Sequence, residues 1–163
     1  MKIHTAYLGL GANLDAPVQQ IKEALRLLQA QPEVHSLVSS QLYASKPLGP
    51  QDQPDYVNAV CRLEVSLEPL ALLALCQNIE MQLGRVRKRH WGERTMDVDI
   101  LLYDAISLHS ETLTIPHAQM HLRDFVLVPL AEIAPAIDIP GLGTIDTLLK
   151  NLQQSFLLPL AVE

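Results

Sequence analysis

The chain has 163 residues, 48% of them hydrophobic and 18% charged, with a formal net charge of −6 at pH 7. A chain of this length can bury roughly 70% of its unfolded surface in one core, and this composition excludes intrinsic disorder. The acidic balance counts against a general nucleic-acid binder, which carries a basic surface, and no stretch approaches the ~18 apolar residues of a membrane span.

The N-terminal segment carries one Lys and then a strand-like run, without the apolar region and small-residue cleavage site of a secretory signal. A soluble cytoplasmic protein is expected. The strand is predicted over residues 3–10, ended by Gly9, Gly11 and Asn13. Asp15 is predicted to cap a helix with Pro17 in its first turn and Val18, Ile21, Leu25 and Leu28 at helical spacing. Residues 35–44 read as a second strand. Ser45 to Asp55 holds three Pro and one Gly, which predicts an ordered but irregular loop.

Clean alternation follows in "YVNAVCRLEV". Val57, Ala59, Cys61, Leu63 and Val65 share one face, and Tyr56, Asn58, Arg62 and Glu64 share the other. Pro69 opens a second helix with Leu72, Leu73, Cys76, Ile79 and Leu83 on its apolar stripe and Gly84 at its end. The two cysteines, Cys61 and Cys76, lack metal-ligand spacing and are expected to be reduced core thiols. A basic loop then leads into the strand "DVDILLY". The order β-α-β-β-α-β is the split-βαβ pattern of a ferredoxin-like α+β fold: an antiparallel sheet with helices packed on it. A hairpin over Ser107 to Thr114 and short helices extend it, all within one domain spanning residues 1–163.

The segment "RVRKRHWGERTMDVDI" holds five of the chain's 12 Lys and Arg residues, namely Arg85, Arg87, Lys88, Arg89 and Arg94. Immediately beyond, Asp97 and Asp99 share one face of a strand, with Cα atoms ~6.5–7 Å apart. Two like charges side by side are unfavourable unless a cation lies between them. Magnesium suits the pair, because it accepts one or two carboxylates and completes its shell with water and phosphate oxygens. The alternative is a solvated strand face. The arginines alone would read as a solvated loop, but next to a metal-binding strand they offer bidentate donors to phosphate. Trp91, the sole Trp, is either a core anchor or a platform for a planar ring. Gln77 and Glu80 share a helix face directly before this loop, as a solvent face or as part of a site. "GLG" at Gly9 to Gly11 lacks the third glycine of a dinucleotide fingerprint, and no P-loop occurs. His117 and His121 stand four apart without the Glu that a zinc-protease helix requires.

The blocks "YLGLGANL", "LGPQDQPDYVNAV", "GRVRKRHWGERTMDVDILLY", "LTIPH" and "RDFVLVPLAEIAP" together resemble the 6-hydroxymethyl-7,8-dihydropterin pyrophosphokinases of folate biosynthesis. The resemblance implies magnesium-dependent transfer of pyrophosphate from ATP to the pterin hydroxymethyl group, with AMP released. It implies that Asp97 and Asp99 ligate two magnesium ions, and that Arg85 and Arg94 are the catalytic-loop arginines. Gln77, Glu80, Arg87, Ile100, Thr114, His117 and Arg123 correspond to the ATP site. Ser45, Leu48, Tyr56, Asn58, Trp91 and Phe125 correspond to the pterin pocket, with Trp91 and Phe125 sandwiching the ring. Where the family often reads Arg-Trp-Gly-Pro-Arg, this chain has His90-Trp91-Gly92-Glu93-Arg94, and Thr112 and Ala118 stand where some members carry Arg and Tyr. The expected partners are the two small-molecule substrates, with no nucleic acid and no membrane, and the expected state is a monomer. Gly9, Gly11, Gly49 and Gly92 are candidate loop hinges. Two other readings stay open on the residues alone: a non-catalytic nucleotide- or RNA-binding module of the same fold, and a structural domain whose Asp pair is merely solvated.

Overall fold

The computed structural model describes residues 2–14, 16–47, 52–84 and 96–158. The expectations placed on Asp15, Leu48, Gly49, Arg85, Arg87, Trp91, Gly92 and Arg94 lie outside the described residues. The elements run β1 (His4–Ala12), α1 (Pro17–Gln29), β2 (Val34–Ser39), β3 (Tyr43–Ser45), β4 (Tyr56–Val65), α2 (Pro69–Gln82) and β5 (Asp97–Tyr103). A hairpin of β6 (Leu108–His109) and β7 (Thr114–Ile115) follows, then α3 (Asp124–Ile133), the small pair β8 (Asp138–Ile139) and β9 (Gly143–Thr144), α4 (Ile145–Lys150) and β10 (Leu157–Leu158).

β4 lies at the centre of the main sheet. It pairs antiparallel with β1 on one side and with β2 and β3 on the other, while β1 pairs antiparallel with β5. This is the ferredoxin-like arrangement that the element order predicts. Alternation along β4 decides which layer each side chain enters. Val57, Ala59, Cys61, Leu63 and Val65 join a core with Ile21, Ala24 and Leu28 of α1 and Leu72, Cys76 and Ile79 of α2. Val60 points the other way, into a second core built with Val126, Leu127 and Leu130 of α3 and Ile145 and Leu148 of α4. Each fully buried aliphatic side chain of this kind contributes about 1.5–3 kcal/mol by leaving water. The sheet is therefore covered on both faces.

Burial drives the Cys61 thiol up to about 12 and also raises Cys76, so both stay protonated and unreactive in the core. Gly84, with φ +70°, follows α2 as its left-handed end signal predicts.

Two local expectations are corrected. The strand predicted over residues 3–10 continues to Ala12, because both its edges pair: Gly9 and Gly11 face Val60 and Asn58 on β4, and Asp99 and Asp97 on β5. Those two glycines are thus sheet residues and not loop hinges. The single strand predicted over residues 35–44 is broken into β2 and β3. At the break Ser40 Oγ accepts the Val60 N–H at 3.0 Å, and Glu132 of α3 accepts the Gln41 N–H at 3.0 Å, so side chains replace ladder partners. The N-cap position of α1 is Ala16, in the left-handed region at φ 59°, with no side-chain cap.

Candidate active site

At the Ala12 end of β1 the strands open onto a cleft of about 90 Å³ on the sheet face that α3 covers. Gly9 and Gly11 make its floor, since neither projects a side chain there. A Cβ on Gly11 would meet Asn58 Nδ2 at 3.1 Å, and one on Gly9 would meet the Leu101 side chain at 3.3 Å. Tyr56 and Asn58 of β4 rise on one side of this floor and Asp97 and Asp99 of β5 on the other. The two aspartates share the half-buried face of β5 while Val98 and Ile100 are buried on the opposite face, as alternation dictates.

On the Asn58 side, Ser45 Oγ donates to Asn58 Oδ1 at 2.5 Å. That bond occupies the amide oxygen and leaves Nδ2 to donate into the cleft. Ser45 and Asn58 are both buried, so the pair is held in place before any ligand arrives. Phe125, in the first turn of α3, closes the opposite wall. Its ring is half-buried, the Arg123 guanidinium carbon lies 5.8 Å from its centroid, and Phe156 meets it edge-on at 5.7 Å. An aromatic face of this kind accepts a planar heterocycle by stacking.

His117 lines the cleft from the loop between β7 and α3. Burial, and next the neighbouring Arg123 charge, hold its pKa below the ordinary imidazole value, with Asp97 pulling in the opposite direction. The ring is therefore neutral at neutral pH. The Gln119 N–H donates to its Nδ1 at 3.2 Å, which puts the ring proton on Nε2. A neutral N–H donor and the Arg123 cation thus stand near the aspartates, an arrangement able to receive phosphate oxygens. Among the described residues no cluster of three or more His, Cys, Asp or Glu could hold a metal. A pair of carboxylates with room for water and phosphate oxygens matches the ligand preferences of magnesium better than those of zinc.

Of the residues singled out in the sequence, Ser45, Tyr56, Asn58, Asp97, Asp99, His117, Arg123 and Phe125 converge on this cleft. Gln77, Glu80, Ile100 and Thr114 do not line it. Gln77 is exposed, Ile100 is buried in the first core, and Thr114 is half-buried in β7. Glu80 is buried, and its Oε2 accepts the Val98 N–H at 2.8 Å, fixing the strand between the two aspartates. Lys46, Leu101 and Val126 line the cleft without having been singled out. Leu101 was legible, since it follows Asp97 and Asp99 at period two; Lys46 carried only the weak signal of a lone cation in a proline-rich loop.

Comparison with known proteins identifies the family and the fold. The family model described as 7,8-dihydro-6-hydroxymethylpterin-pyrophosphokinase matches residues 7–135. The 2-amino-4-hydroxy-6-hydroxymethyldihydropteridine pyrophosphokinase of Haemophilus influenzae is 52% identical over 147 residues, covering 90% of this chain and 92% of that protein. The protein of the same name from Pseudomonas aeruginosa is 46% identical over 138 residues, covering 85% of each. Among solved structures, wild-type Plasmodium falciparum HPPK-DHPS with pteroate superposes with a TM-score of 0.71 at 15% identity. That likeness shows the fold, and it covers 91% of this chain but only 44% of the larger protein. The chain belongs to the 7,8-dihydro-6-hydroxymethylpterin-pyrophosphokinase family.

Proposed function

We propose that this chain transfers a pyrophosphoryl group from ATP to the hydroxymethyl oxygen of 6-hydroxymethyl-7,8-dihydropterin, a step of folate biosynthesis. The observation that carries the proposal is one cleft in which Asp97 and Asp99 of β5 lie across Gly9 and Gly11 from Tyr56 and Asn58 of β4, with Phe125 of α3 also lining it. A triphosphate and a planar acceptor bound in those two halves would meet over Gly9 and Gly11. The acceptor oxygen bonds to the β-phosphorus and releases its proton to solvent, the bond from the β-phosphorus to the α–β bridging oxygen breaks, and AMP leaves with that oxygen. No side-chain nucleophile is required, so the work is positioning and charge neutralisation.

Asn58 Nδ2 donates to the pterin edge while Ser45 fixes the amide orientation, and Phe125 stacks on the ring. Arg123 and the Nε2–H of His117 donate to phosphate oxygens. Asp97 and Asp99 would hold two magnesium ions, which supply charge neutralisation to the phosphates when bound. Arg85, Arg87, Arg94, Leu48 and Trp91 keep the roles that the sequence resemblance implies. The enzyme acts as a cytoplasmic monomer on small molecules, without nucleic acid. No helix among the described residues is long and apolar enough to cross a membrane.

The test is incubation with ATP, magnesium and the hydroxymethyl dihydropterin, followed by separation of nucleotides and pterins. The expected result is AMP in equal amount to pterin diphosphate, abolished by EDTA. Asp97→Ala and Arg94→Ala should each lose at least about a hundredfold in turnover while remaining folded. ADP as the product would overturn the reaction type, and near-normal turnover in both variants would overturn the assigned roles.

A further inference from the structure

Asp124 stands between two cleft residues, Arg123 and Phe125, yet its carboxylate serves the far end of the chain. It is buried, and Oδ2 accepts the N–H groups of Phe156 at 3.0 Å and Leu157 at 3.1 Å, with Ser155 Oγ at 3.5 Å. A buried carboxylate is costly unless it is hydrogen-bonded, and a helix N-terminus would be satisfied equally well by an exposed Asp. The tail is therefore what justifies the burial. From that anchor the chain reaches the other wall of the cleft. Phe156 O accepts the Lys46 N–H at 2.8 Å, and β10 pairs with β3 so that Leu157 lies opposite Ser45. On the α3 side the Phe156 ring meets Phe125 at 5.7 Å with an interplanar angle of 86°.

One short segment thus touches both residues that bracket the acceptor half of the cleft, Ser45 and Phe125. None of its own residues is among those lining the cleft, so it acts on the site through Ser45 and Phe125. It also lies beyond residue 135, where the match to the family model stops.

We propose that residues 155–158 form a strap that sets the acceptor wall, with Asp124 and Phe156 as positioning residues for Phe125 and Ser45. Phe125 has two side-chain torsions and a half-buried ring, so its plane is fixed by what touches its edge and face. Phe156 supplies the edge contact and Arg123 the cation over the ring. Asp124 ties the strap down, and the β3–β10 pairing passes the same constraint to Ser45 and through it to Asn58. The inference rests on the reading of this half of the cleft as the pterin site.

The test uses the full chain as wild type, Phe156→Ala, Phe156→Tyr and Asp124→Ala. A non-hydrolysable ATP analogue with magnesium is titrated first by calorimetry, and 6-hydroxymethyl-7,8-dihydropterin is then titrated onto that complex, with melting midpoints recorded alongside. Phe156→Ala and Asp124→Ala are expected to weaken pterin binding roughly three- to tenfold and analogue binding by less than about twofold, with Phe156→Tyr restoring the pterin affinity. Unchanged pterin affinity in Phe156→Ala would overturn the strap. So would equal weakening of both ligands together with a lowered midpoint, which is the signature of general loosening. If Asp124→Ala does not fold, the two Phe156 variants decide the matter. A wild type that binds the analogue but no pterin removes the pterin reading itself and the strap with it, a result distinct from either failure among the variants.

Discussion

Gly11 lies between Asn58 of β4 and Asp97 of β5, where the two halves of the cleft meet. A methyl group there would sit 3.1 Å from Asn58 Nδ2. The amide has little freedom to move away, because Ser45 Oγ holds its Oδ1 at 2.5 Å. The φ of Gly11 is not in the left-handed region, so alanine brings no backbone strain. Chain entropy acts in the opposite direction: Gly→Ala at a compatible position stabilises by about 0.4–1 kcal/mol through the unfolded state. Overpacking against a held amide costs about 1–3 kcal/mol and outweighs that gain, so the melting midpoint of Gly11→Ala is expected to fall by a few degrees. The displaced amide should also raise the KM for the pterin about tenfold, the equivalent of ~1.4 kcal/mol. Steady-state kinetics and a thermal melt on the same preparation check this. A lowered midpoint with unchanged KM would mean that the floor has structural importance only.

Among elements, α2 and β5 show how a buried carboxylate can organise a site that it does not line. Glu80 accepts the Val98 N–H at 2.8 Å, on the one residue that separates Asp97 from Asp99. Glu80→Ala leaves that donor buried without this partner, a loss of about 1–3 kcal/mol. Glu80→Gln keeps an acceptor oxygen and should lose less. Urea unfolding of the two variants measures the difference, and equal losses would contradict the role given to the hydrogen bond. This function was not legible in the sequence. Helical spacing places Gln77 and Glu80 on one face but does not say that one is exposed and the other buried. The strands were more legible, because period-two alternation in "YVNAVCRLEV" and "DVDILLY" assigns each side chain to a layer and so delivers Tyr56, Asn58, Asp97 and Asp99. Gly9 and Gly11 were misread as the end of a strand, since a glycine floor leaves no side chain to continue the pattern. Ser45, His117, Arg123 and Phe125 come from loops and element ends, where no local period records which way a side chain points; only the family resemblance brought them forward.

At the scale of the molecule, the ferredoxin-like unit accounts for one face of the sheet and the C-terminal elements for the other. Helices α1 and α2 close the first core, while α3 and α4 close the second, and the cleft opens on that second face. The family match ends at residue 135, before α4 begins at Ile145. Ile145 is nonetheless fully buried, packed in the same core as Val60 of β4 and Leu101 and Leu102 of β5. Its N–H also donates to Ile137 O at 3.0 Å, which ties α4 to the chain leaving α3. If the C-terminal elements were a separable addition, truncating this side chain would cost little, and unfolding would acquire a second, weaker transition. The packing argues the opposite. Ile145→Ala should cost about 2–5 kcal/mol, the range for opening a cavity in a close-packed core, and unfolding should keep one cooperative transition. Urea titrations followed by fluorescence and by circular dichroism should coincide in the variant as in the wild type. Curves that separate, or a loss below about 0.5 kcal/mol, would make the second core an independent layer and leave the cleft roofed by an element that folds apart from its floor.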